Sequence, residues 1–109
     1  MTISELSTAV DYGINTITIV MNNKSWGAEK AYQKDFFGKR YLGADISSPQ
    51  FDKVAELYGA KGFKVNKISE VNEAVKAALK CNKPSVIDVD VDPKALYSFR
   101  RDSFKHKIK

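Results

Sequence analysis

The sequence predicts an α/β fold: a partial, open parallel sheet flanked by helices. Short β-branched runs at residues 16–21 ("TITIVM"), 62–66 ("GFKVN") and 85–91 ("SVIDVDV") read as strands. Stretches of helical spacing separate them, and strand–helix–strand connections make the joined strands parallel. At 43% hydrophobic and 28% charged residues, the chain of 109 has an ordinary globular composition.

The elements follow in order. Thr2 and Glu5 have capping-box spacing, so a helix is expected from there, with Ile3, Leu6 and Val10 on one face and Gly13 as its stop. The strand at 16–21 is apolar and β-branched and is expected to be well buried. Residues 27–47 lack a strong period, although "AEKAYQK" suits a short helix. Ser48 and Pro49 read as the cap and first-turn proline of a helix whose stripe is Phe51, Val54, Ala55, Leu57 and Tyr58, closed by Gly59. Ser69 can cap a last helix, with Val71, Ala74, Val75, Ala78 and Leu79 on its apolar face. So few helices leave a modest core. The chain reads as part of a larger sheet, whose bare edge would favour self-association.

The net charge of +5 is localised: residues 1–93 hold twelve basic and twelve acidic side chains, and residues 94–109 hold six basic ones against Asp102. Residues 1–93 are therefore the expected domain and 94–109 a basic tail. A neutral body argues against a nucleic-acid face, and leaves tail-mediated binding of an acidic partner as the weakest functional reading. One cysteine, Cys81, excludes an internal disulfide and suits a reducing compartment. Residues 1–10 lack the pattern of a secretory signal, and no apolar run reaches membrane-span length, so a cytoplasmic location is expected.

The informative stretch is "IVMNNKSWGAEK", residues 19–30. Ligands of open α/β sheets sit outside the carboxyl ends of the strands, where Asn22, Asn23, Lys24 and Ser25 fall. An amide oxygen is a hard neutral donor suited to Mg²⁺, and a main-chain carbonyl two residues on could add a second. The same four residues also read as a solvated turn. Asp88, Asp90 and Asp92 alternate along one side of the third strand, which reads as structural rather than as a metal cluster. His106, the only histidine, leaves no basis for a zinc or histidine-based site.

With its flanks, "ELSTAVDYGINTITIVMNNKSWG" resembles the second half of the cofactor motif of thiamine diphosphate-dependent enzymes. "FDKVAELYGAKGFKV" and "KPSVIDVDVDP" resemble the rest of that cofactor-binding domain, in the same order. "WGAEK" and "FRRDSFK" resemble sulfoacetaldehyde acetyltransferases more than acetolactate synthases or decarboxylases. The resemblance implies thiamine diphosphate and Mg²⁺ as cofactors. Asn23 would ligate the metal through its side-chain oxygen and Ser25 through its main-chain carbonyl, with Asn22, Trp26 and Gly27 beside the cofactor. It also implies cleavage of sulfoacetaldehyde to sulfite with acetyl transfer to phosphate, an anion site for phosphate or a sulfonate at Arg100 and Arg101, and a homo-oligomer. The family motif opens with Gly-Asp-Gly, which would fall just ahead of Met1, and its catalytic glutamate belongs to a separate pyrimidine-binding domain. The expectation is a weak metal site and no activity for this polypeptide alone, unless a companion chain supplies both. The rival expectation is a non-catalytic accessory α/β domain.

Overall fold

Three parallel strands, β1 (Ile17–Asn22), β2 (Lys61–Val65) and β3 (Ser85–Asp90), form one sheet in the order β1-β3-β2. The helices are α1 (Glu5–Asp11), α2 (Gly27–Phe36), α3 (Phe51–Leu57) and α4 (Val71–Cys81), the last preceded by a 3₁₀ turn at Ile68–Glu70. The computed structural model describes residues 2–97. They group into two compact units, residues 2–22 with 48–91 and residues 23–47 with 92–97.

The first unit holds the whole sheet. On one face Leu6 of α1 packs with Ala55, Ala60 and Val86, joined by Val10, Val20 and Phe51. On the other, Val71, Ala74, Val75 and Ala78 of α4 cover Val65, Ile87 and Val89. Both faces are thus roofed over β3, and its first five residues are buried.

β1 departs from expectation. It is an edge strand of this sheet, with Ile19 44% and Met21 60% exposed. Its β-branched composition marks a strand suited to burial, and burial needs neighbours that the described residues do not supply. β2, the opposite edge, carries Lys61 and Lys64, charges that discourage further pairing.

The helix starts also differ. α1 begins at Glu5, with the Glu5 amide donating to the Thr2 carbonyl at 3.0 Å, and no capping box forms. α3 begins at Phe51 rather than after Ser48, and Ser69 lies inside the 3₁₀ turn. Leu57 and Leu79, placed on apolar stripes by spacing, are 87% and 69% exposed. The stops hold: Gly13 and Gly59 have φ of 63° and 85°, a region costly for any residue with a Cβ.

Asp52, in the first turn of α3, is 7% exposed, and its Oδ1 is buried without a hydrogen-bond partner among the described residues. An orphaned carboxylate oxygen costs more than its favourable place at a helix start returns. Asp52→Val is expected to raise unfolding free energy by about 1 kcal/mol, read as a higher urea midpoint. A lower midpoint would show that Asp52 holds a stabilising partner.

The second unit is built on α2, which contains the expected "AEKAYQK" helix, and on the segment that follows it. The Tyr32 and Phe36 rings stand 5.5 Å apart. Glu29, Tyr32, Gln33, Phe37, Arg40 and Leu42 line a cleft of about 620 Å³.

Candidate functional site

β1 ends in Asn22, which is 7% exposed and donates from Nδ2 to Asp88 Oδ1 at 3.2 Å. Asp88 is itself 0% exposed, and its Oδ2 accepts from the Phe51 amide, the first of α3, at 3.2 Å. Lys64 Nζ lies 3.3 Å from Asp88 Oδ2 and 2.6 Å from Asp90 Oδ1. Burial opposes the Lys64 charge. The hydrogen bonds to Asp90 and Asp88 and the fields of the two carboxylates outweigh it and raise the ammonium pKa above the usual 10.5. Asp88 and Asp90 are thus absorbed in a structural network, as the strand pattern suggested. The burial of Asp88 was not legible, because its partners come from other strands and helices.

The chain then turns. Lys24 takes φ 55°, and Asn23 Oδ1 accepts from the Ser25 amide at 3.1 Å, the local bond expected of a turn. A carboxamide oxygen has a second lone pair, so that bond leaves it able to meet a cation. Ser25 forms an antiparallel bridge with Asp45 whose two hydrogen bonds run from Trp26 N to Ala44 O at 2.7 Å and from Ile46 N to Lys24 O at 3.1 Å. Neither uses the amide or carbonyl of Ser25 itself. In such a pair both point away from the partner strand, so the Ser25 carbonyl faces the side on which its amide meets Asn23 Oδ1.

Two features fit a ligand at this turn. Ser25 Oγ is buried without a hydrogen-bond partner among the described residues. A Cβ on Gly27 would stand 2.6 Å from Asn23 Nδ2, so only glycine leaves the Asn23 amide its place. Trp26, at the start of α2, is 59% exposed.

The structure therefore gathers Asn23, Ser25, Trp26 and Gly27 in one turn, with Asn22 ending the strand before it. Arg100 and Arg101 lie outside the described residues. Sequence reasoning missed the pairing of residues 44–46 with the turn; the only signal was the polar "GADIS" at 43–47. Among the described residues, no group of three or more His, Cys, Asp or Glu side chains could hold a metal ion, and no helix is long and apolar enough to cross a membrane.

Residues 1–89 match the family model of the thiamine pyrophosphate enzyme C-terminal TPP binding domain. The chain is 32% identical over 113 aligned residues to the sulfoacetaldehyde acetyltransferase of Castellaniella defragrans, covering 100% of this chain and 19% of that protein. It is 33% identical over 99 residues to a probable acetolactate synthase large subunit of Methanococcus aeolicus, covering 90% of this chain and 16% of that protein. A thiamine diphosphate-dependent 4-hydroxybenzoylformate decarboxylase of Rhodococcus jostii RHA1 superposes with a TM-score of 0.74 at 30% identity, over 83% of this chain and 17% of that one. The chain thus spans less than a fifth of the length of these relatives. It belongs to the thiamine pyrophosphate enzyme family, and its match is to the C-terminal TPP binding domain.

Proposed function

We propose that this chain binds thiamine diphosphate through Mg²⁺, as the C-terminal cofactor segment of an acyltransferase of the sulfoacetaldehyde acetyltransferase kind. Asn23 Oδ1 and the Ser25 main-chain carbonyl hold the metal, Asn22 anchors the strand before them, and Trp26 and Gly27 border the cofactor. The observation that carries this reading is the vacancy at Gly27, which keeps the Asn23 amide in place beside a buried, unpartnered Ser25 hydroxyl. Thiamine diphosphate, when bound, supplies a nucleophilic carbon; the residues here bind and orient it.

An amide and a carbonyl make a weak Mg²⁺ site without a carboxylate. We infer that a companion segment, within a longer chain or in a second one, completes both the site and an oligomer. We read residues 1–93 as the cofactor domain. The tail at 94–109 would carry a phosphate or sulfonate site at Arg100 and Arg101, and the location would be cytoplasmic.

Isothermal titration of thiamine diphosphate with and without Mg²⁺ tests the metal site. Binding is expected only with Mg²⁺, and at least about tenfold weaker in Asn23→Ala. Gly27→Ala should weaken it as much while moving the melting temperature little, because the Cβ displaces only a side-chain end. Equal affinity with and without Mg²⁺ would overturn the metal role. The rival, a non-catalytic domain of the family that has lost the cofactor, predicts no heat in any of these titrations.

A further inference from the structure

The second unit holds its turn from outside. After α2 the chain passes through Gly38, Lys39 and Gly43, all with φ between 60° and 63°, and comes back alongside residues 24–26. Three separate contacts secure this return to α2. Gln33 meets one peptide unit twice, donating from Nε2 to the Leu42 carbonyl at 2.8 Å and accepting from the Leu42 amide at 3.1 Å. Lys30, with a side chain 16% exposed, donates to Asp45 Oδ1 at 2.5 Å. The same ammonium sits 5.3 Å from the centre of the Tyr41 ring.

Asp45 is the residue bridged to Ser25. The contacts of α2 therefore settle where residues 44–46 lie, and residues 44–46 settle which way the Ser25 peptide faces. We propose that residues 37–46 are a strap that orients the Ser25 main-chain carbonyl toward the metal, with Gln33, Lys30 and Asp45 as its positioning residues. The metal half of this proposal rests on the function proposed above; the ordering of the turn does not. None of the three touches the cofactor on this reading. Their effect passes through the two bridge hydrogen bonds, at Trp26 N and Ile46 N.

Those two amides are the direct readout. In the full chain, Gln33→Ala removes two hydrogen bonds and should speed hydrogen exchange at the Trp26 and Ile46 amides by about tenfold. Exchange at Ile87, in the central strand, should stay unchanged. Lys30→Glu and Asp45→Lys should each speed the same two amides by about threefold, and the double variant, which restores the pair with its charges exchanged, should return them to near the parent rate.

Trp26 is the only tryptophan, so its fluorescence reports on the turn. Titration of Mg²⁺ in the presence of thiamine diphosphate should show half-saturation shifted upward about tenfold in Gln33→Ala. Unchanged exchange at Trp26 and Ile46, or a double variant that fails to restore it, would overturn the strap. Altered exchange with an unaltered Mg²⁺ titration would overturn its metal-orienting role. No cofactor binding by the parent even with the companion segment supplied would instead defeat the proposed function, and the exchange rates would still decide whether the strap orders the turn.

Discussion

Gly62→Ala is expected to destabilise the first unit by about 3 kcal/mol, the upper end of the range for overpacking. A Cβ at this position would stand 2.9 Å from Asp52 Cα and 2.6 Å from its carbonyl carbon, and closer still to the carbonyl oxygen. All three are backbone atoms of α3, so no side chain can swing aside. Either α3 moves off β2 or the strand bends, and both open the cluster of Leu6, Ala55, Ala60 and Val86. The measurement is the urea midpoint, with Gly38→Ala as control. A Cβ at Gly38 would meet nothing within 4 Å, so its cost is limited to a left-handed φ of 60°, about 1 kcal/mol. Equal midpoints for the two variants would mean that α3 does not rest on Gly62.

Asp88→Ala carries a comparable cost, about 3 kcal/mol, for a different reason. The substitution removes the Asp88 oxygens that Asn22 Nδ2 and the Phe51 amide donate to, and takes one of two carboxylates from Lys64. Asp88→Asn should not rescue it fully, because an amide has one acceptor oxygen where the carboxylate has two, and no charge to meet Lys64. The alkaline limb of stability gives a second check. A lysine pKa raised by folding contributes stability that is complete below its unfolded value and is lost as pH rises through the folded value, above 10.5. Thermal melts from neutral pH to about pH 12 should show that loss in the parent, and a smaller one in Asp88→Ala. Parallel curves would mean that Asp90 alone accounts for the shift.

Strand number, strand direction and the α/β class were legible because they depend on local composition and on short connections. The positions of β1 and β3 were not. "TITIVM" is as apolar as a central strand and stands at an edge, whereas "SVIDVDV" alternates like a half-exposed strand and lies in the middle. Strand order is set by which helix covers which strand, and no residue within a strand encodes that. Helix starts at Glu5 and Phe51 were misplaced because backbone carbonyls and the distant Asp88 satisfy their first amides where Thr2 and Ser48 were expected to. At the turn, "NNKSWG" singled out candidate residues, and the chain does gather them in one place. The spatial reason for Gly27, and the pairing of Asp45 with Ser25, appear only once the chain has folded back.

The two edges of the sheet are unequal, and the difference bears on how the protein is made rather than on how stable it is. β2 presents lysines to any approaching strand; β1, Ile17–Asn22, has neither lysine nor proline and pairs in unbroken register. A nascent chain that has just formed β1 therefore offers a template that another copy can extend as readily as its own later residues can cover it. Yield of soluble protein should then follow the race between intramolecular closure and encounter, and slower synthesis or dilution would favour closure. The strand that leads into the turn at residues 23–27 is the one that bears the risk.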